Sequence, residues 1–228
     1  MDDRRENQNG RLDFFHLHWP RDEYYFSEGA KILSVRKCSK PTFIYTEKPS
    51  FVMMSFNIIR THSKSHKFLT ALLNSRLIEY WLRNKGKMQG NNFQIDKEPL
   101  VNIPLVIPED VSQFEILVDY LLYLNDDTKP QALPHTANNR LASHIEDVLN
   151  MMVYELYFES HMKEVGIDVL QFINPTPIDN VKDDIKKAEE VKKFYLWLQT
   201  PDNAVRQRIN IVDIKSPNIL SKINLATQ

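Results

Sequence analysis

The chain has 228 residues, 42% of them hydrophobic and 26% charged, a globular composition with enough apolar content for one core or two small ones. Its single cysteine, Cys38, excludes an internal disulfide, and the cytoplasm is the simplest expected location. No apolar run reaches the length of a membrane span, and the opening MDDRRENQNG lacks the apolar stretch of a secretory signal, so no membrane partner is expected.

The net charge of −1 conceals an asymmetry. Residues 29–95 carry 12 Lys and Arg against only Glu47 and Glu79, whereas residues 108–228 carry 12 against 19 Asp and Glu. A basic block of that size attracts polyanions, of which nucleic acid is the commonest. The competing interpretation is a solvated surface whose sign varies along the chain.

In chain order, KILSV (31–35), TFIYT (42–46) and SFVMMSFNII (50–59) are β-branched and aromatic, bounded by Gly29, Pro41 and Pro49, and predict short strands in an antiparallel or mixed sheet. Over 66–85 the period changes. Leu69, Leu72, Leu73, Leu77, Tyr80 and Trp81 recur at helical spacing, and Gly86 is expected to stop that helix in the left-handed conformation. NKGKMQGNNFQ (84–94) follows as a basic, amide-rich loop. NFQI (92–95) and LVNIPLVI (100–107) return to strand character, with Pro104 at an edge or bulge. Apolar stripes then predict helices over 110–125 and 139–160, which could pack as an antiparallel pair. A further helix is predicted over 181–199, and RINIVDI (208–214) reads as a last strand. The expected fold class is α+β: a strand-rich part, 12–107, with one central helix, followed by a helical part, 108–228.

Enzyme chemistry finds little purchase. There is no Gly-rich phosphate loop and no Gly-x-Ser-x-Gly elbow. His62 and His66, and His16 and His18, lack the Cys or carboxylate partners that would complete a metal site. Cys38 has no base partner to activate it. Glu190 and Lys192, with Asp179, Asp183 and Asp184 upstream, have the composition of a metal-dependent nuclease site, but they fall on a charge-rich helix and read as solvated.

The 84–94 loop has a more specific chemistry. Arg83, Lys85 and Lys87 can neutralise phosphates. Gln89, Asn91 and Asn92 each offer a donor and an acceptor, the combination that pairs bidentately with adenine's major-groove edge. Arg36, Lys37 and Lys40, in the turn RKCSK (36–40), are expected on the same surface. Charges that position and amides that read are the division of labour in sequence-specific DNA recognition.

Trp19-Pro20-Arg21, Lys31-Ile32-Leu33 followed by Arg36, Leu72-Leu73-Asn74-Ser75, Lys85-Gly86-Lys87 and Leu100 through Pro104 occur in order along 17–105. Together these segments resemble the TaqI-like C-terminal specificity domain of adenine-specific DNA methyltransferases and type IIG restriction–modification enzymes. VLNMMVYELYF (148–158) is similar to the helix that commonly trails that domain. The resemblance implies a target-recognition module for double-stranded DNA, partnered by a methyltransferase catalytic domain or subunit. It also implies that S-adenosylmethionine and an Asn-Pro-Pro-Tyr-type motif belong to that catalytic part. INPTPI (173–178) has Asn174-Pro175 but neither the second proline nor the aromatic, so no catalytic residue and no cofactor is assigned to this chain. The alternative expectation is a protein-interaction module whose acidic helical half docks a methyltransferase or nuclease subunit.

Overall fold

The computed structural model describes residues 9–10, 22–62 and 65–227. His16, His18 and Trp19-Pro20-Arg21 lie outside them. The elements are β1 (Lys31–Val35), β2 (Lys37–Cys38), β3 (Phe43–Thr46), β4 (Phe56–Ile59), α1 (His66–Leu73), α2 (Arg76–Lys85), β5 (Lys87–Gln89), β6 (Asn92–Gln94), α3 (Lys97–Val101), α4 (Ser112–Leu124), α5 (Asn138–Glu164), α6 (Asp184–Leu198), α7 (Ala204–Lys215) and α8 (Leu220–Ala226). The fold is mixed α+β. Among the described residues there are two three-stranded antiparallel sheets, ordered β3-β1-β4 and β2-β6-β5, followed by helices.

The two sheets share one run of chain. Arg36, between β1 and β2, donates its N–H to Ser55 O at 2.8 Å and accepts from Ile95 N at 2.7 Å. The strand therefore pairs with β4 before Arg36 and with β6 after it. Ile32 and Phe43 face the core and are buried, as are Phe68, Leu69, Leu72 and Leu73 of α1. One apolar cluster runs from Ile32 to Ile223 through α4 and α5, which pack against each other. The Phe68 ring meets Phe114 of α4 edge-on at 5.2 Å, and the Lys67 ammonium pairs with Asp119 at 2.7 Å.

Several expectations are corrected. The helical pattern over 66–85 is two helices, broken at Asn74-Ser75. Ser75 caps α2 by accepting from Ile78 N, as serines do at helix starts. The Asn74 amide accepts from Phe43 N at 2.9 Å and donates to Phe43 O at 2.7 Å and Thr70 O at 2.9 Å. The break therefore ties α1 to β3, a tertiary contact that apolar periodicity does not register. Only 56–59 of the expected strand 50–59 pairs.

The expected strand over 100–107 is instead α3 and irregular chain. Pro99 sits in the first turn of α3, where a missing N–H costs nothing. Beyond it the backbone is satisfied by a side chain rather than a ladder: Tyr157 Oη donates to Pro104 O at 2.6 Å and accepts from Val106 N at 3.3 Å. The expected strand 208–214 lies inside α7. Asn203 caps that helix by accepting from Arg206 N at 2.9 Å, and Val205 and Val212, two turns apart, are both buried. Seven alternating residues fit either period, and the cap decides between them.

Asn74→Ala removes three hydrogen bonds, two of which join α1 to the edge of the first sheet. It is expected to lower unfolding free energy by about 1–2 kcal/mol, read as a shifted denaturant midpoint at unchanged slope.

Candidate nucleic-acid interface

The segment after α2 is a β-hairpin, not an open loop. Lys87 faces Gln94, Met88 faces Phe93 and Gln89 faces Asn92 across β5 and β6, while Lys37 and Cys38 of β2 face Gln94 and Phe93. Strand side chains alternate between faces. Lys37, Lys87, Gln89, Asn92 and Gln94 therefore share the outer face of the β2-β6-β5 sheet. Cys38, Met88 and Phe93 share the inner one, and Phe93 is buried against the core. Burial lifts the Cys38 thiol above its ordinary pKa, the opposite of what a nucleophile requires.

Gly90 and Asn91 form the turn of the hairpin. Gly90 has φ +61° while Asn91 does not enter that region, the distribution of a type II′ turn led by glycine. At the hairpin's base Gly86 has φ −82°, so the expected left-handed stop does not occur. Glycine is needed there for room, because a Cβ would lie 2.3 Å from Leu82 O. That close approach lets β5 start directly off α2.

The sheet brings together the two basic segments, 36–40 and 83–92. Lys37 and Lys87 flank Gln94 on the outer face, Asn91 is exposed at the turn, and Lys85 is exposed at the last position of α2. Arg36 stands at the base, its guanidinium 2.7 Å from Asp96. Gln94 Nε2 donates to the other Asp96 oxygen at 3.0 Å, and Gln89 Nε2 donates to Gln94 Oε1 at 2.5 Å. An amide–carboxylate–guanidinium chain thus sets the orientation of Gln94 and Gln89. Arg36 holds the Asp96 carboxyl below its usual range, chiefly through this hydrogen bond.

Two of the expected cations turn elsewhere. Arg83 lies over the Phe93 ring at 4.9 Å and 3.6 Å from Glu79. Lys40 lines a cleft that also holds Glu79, Arg76, Glu146 and Asp147. Burial raises the Glu79 pKa, opposed by Lys40, Arg83 and Arg76. The basic block is also less free than its composition implies. Arg60 donates to Glu28 O at 3.1 Å, Arg76 pairs with Asp147 at 2.9 Å, and the buried Lys31 ammonium donates to Ser27 O and Gly29 O.

Gln94 and Asp96 were not among the sequence candidates. The signal available was the alternation Asn92-Phe93-Gln94 after a Gly-Asn turn, which puts Gln94 beside Asn92. Several side chains of the other candidate centres are engaged structurally. His66 Nε2 accepts from Thr61 N, and His62 Nε2 lies 3.0 Å from Tyr24 Oη. Asp183 caps α6, Asp184 pairs with Lys129, and Glu190 with Lys193. Asn174-Pro175 lies in a segment strapped to α4, with Gln113 donating to Ile173 O and Tyr120 to Thr176 O. Among the described residues no group of three His, Cys, Asp or Glu side chains is placed to hold a metal ion, and no helix is long and apolar enough to cross a membrane.

Amides and two lysines on one exposed sheet face suit a groove-reading surface, and known proteins place that face in context. Residues 5–105 match the TaqI-like C-terminal specificity domain. Two curated relatives from Haemophilus influenzae align over 110 residues at 26% identity: the type II methyltransferases M.HincII and, from strain ATCC 51907 / DSM 11121 / KW20 / Rd, M.HindII. Each alignment covers 44% of this chain, with 22% of M.HincII and 21% of M.HindII, so the chain spans about a fifth of the length of these relatives. All six strands among the described residues, and α1 and α2, fall inside the stretch matched by the specificity-domain model.

Within the matched segment the Arg36–Asp96 pair gives a pH-dependent term of known sign. The folded carboxyl titrates below the unfolded one, so its contribution is complete above the ordinary carboxylate pKa of about 4 and is lost as pH falls through the lower, folded value. With both partners partly exposed, Asp96→Asn is expected to cost less than about 1 kcal/mol at neutral pH. That difference from the natural chain should shrink in denaturant titrations as pH falls from the ordinary carboxylate range through the lower, folded value.

Proposed function

We propose that this chain is the sequence-reading module of a restriction–modification DNA methyltransferase that acts on the N6 of adenine, of the type II or IIG kind. The observation that carries the proposal is the sheet face holding Lys37, Lys87, Gln89, Asn92 and Gln94 together. β2 pairs only with Phe93 and Gln94, so the Gln89–Asn92 end of the hairpin is a two-stranded ribbon, narrow enough for the major groove of B-DNA, which is about 12 Å wide. Its turn, Gly90-Asn91, is exposed and leads into the groove. Lys37, Lys87 and Lys85 neutralise phosphates, while Gln89, Asn91 and Asn92 meet base edges. Arg36 acts by fixing Asp96 and, through it, the Gln94 and Gln89 amides.

The family match and the type II methyltransferase relatives support this reading. Methyl transfer is assigned to a catalytic partner, covalent or separate, that supplies S-adenosylmethionine and the residues holding the target adenine. The residues of INPTPI do not fit that task, because Pro175 is buried and the segment is bound to α4. This chain is read as non-catalytic by itself and cytoplasmic. The alternative, a docking module with little DNA affinity, differs in its response to salt.

Binding of a random-sequence duplex pool, followed by fluorescence anisotropy across a salt series, tests the proposal. Affinity should fall steeply with salt, and Lys87→Ala should weaken every duplex alike and shallow the log–log slope by about 1. Asn92→Ala or Gln89→Ala should cost about 1–3 kcal/mol, confined to one base pair of the enriched site. Equal losses on all duplexes would remove the reading role. Failure to bind DNA even at low salt would favour the docking module.

A further inference from the structure

Residues 51–54 carry no part of the polar face, yet they expose the largest apolar side chains among the described residues of the strand-rich part. Phe51 is 80% exposed, Met53 78% and Met54 72%. Water is a poor environment for such a group unless another surface covers it.

The tip is held in place rather than hanging free. Phe51 stacks on Phe26 with centroids 5.7 Å apart and planes 11° from parallel. Ser50 N donates to Phe26 O at 2.9 Å, and Phe56 N donates to Met53 O at 3.0 Å, closing a tight turn over Met53–Phe56. Phe51 and Met53 are exposed while Val52 between them is half-buried, the alternation of extended chain with two side chains pointing outward.

Its position decides what it meets. The carbonyl of Ser55, within that turn, accepts the Arg36 N–H, and the Arg36 carbonyl accepts from Ile95 N just beyond β6. Asn57 Nδ2 donates to Ile95 O at 2.9 Å. The apolar tip and the polar hairpin are therefore both bonded to the backbone of Arg36. A duplex engaged by the hairpin therefore passes close to the tip, which ends one residue before Ser55. Phe and Met are side chains that unstack base steps when driven into a duplex.

We infer that Phe51, Met53 and Met54 form an apolar wedge that enters between adjacent base pairs at the border of the site read by the hairpin. The wedge rests on the DNA-binding reading above and adds a deformation component to it. Specificity then includes the ease with which one base step opens, independent of hydrogen bonds to its bases.

The test uses the full chain and a duplex enriched from a random pool by that chain, carrying 2-aminopurine at successive positions. The natural chain should raise 2-aminopurine fluorescence at one step beside the hairpin's footprint. Met53→Ala/Met54→Ala, which leaves the Phe26–Phe51 stack intact, should abolish that rise and weaken binding about tenfold, on the scale of one lost base-stacking contact. The salt slope should be unchanged, since no phosphate contact is removed. Phe51→Ala should act in the same direction, with melting temperature as the check on folding. Binding that is sensitive to Lys87→Ala, with no fluorescence rise and no effect of the methionine variants, would overturn the wedge and leave the reading face standing. The same result with loss of affinity for a methyltransferase catalytic segment would make the tip a protein contact and overturn the wedge as well. Absence of any enriched duplex would overturn both.

Discussion

The arrangement depends on the backbone of Arg36. A strand has a limited set of N–H and C=O groups to offer, and here one residue gives its N–H to the chain entering β4 and its C=O to the chain leaving β6. That handover joins two small sheets, each too small to be secure without the other and the helices beneath. It also sets the register of β2 against β6, and a shift of one residue there would turn Lys37 inward and Cys38 outward. The identity of the outer face is therefore a consequence of backbone pairing at a distance from the amides it displays.

Support from beneath comes from helices. Phe93 is the hairpin's anchor, buried in the core under the guanidinium of Arg83. The proximity of Gly86 to Leu82 O lets the hairpin leave α2 without an intervening loop. Since α2 is in turn packed on α5 and α8, and α1 on α4, the candidate face rides on a continuous core. A reading surface benefits from such rigidity, because base discrimination depends on hydrogen bonds held to within a fraction of an ångström.

Charge illustrates how composition differs from a surface. The basic block counted along 29–95 includes Lys31, Arg60, Lys67 and Arg76, all engaged with carbonyls or carboxylates. Lys37, Lys85 and Lys87 are exposed on or beside the sheet face. The cations that shape the fold and those turned towards solvent are indistinguishable as letters, because the difference lies in whether an acceptor is folded against them.

Local patterning was enough to identify the α+β class, the helices at α4, α5 and α6, and the pairing of basic residues with amides around 84–94, since each is written in neighbouring residues. The match to the specificity domain was likewise legible from spaced motifs. Tertiary structure decided the rest. Asn74 divided one helical pattern in two because Phe43 was there to bond. Tyr157 kept 104–106 out of a ladder, and the Asn203 cap made a helix of an ambiguous alternation. Gln94 and Asp96 joined the candidate face only when β2 came to lie beside β6, pairing Cys38 with Phe93 across more than half of the matched segment. Such choices rest on non-local hydrogen bonds, whose partners a chain acquires only by folding.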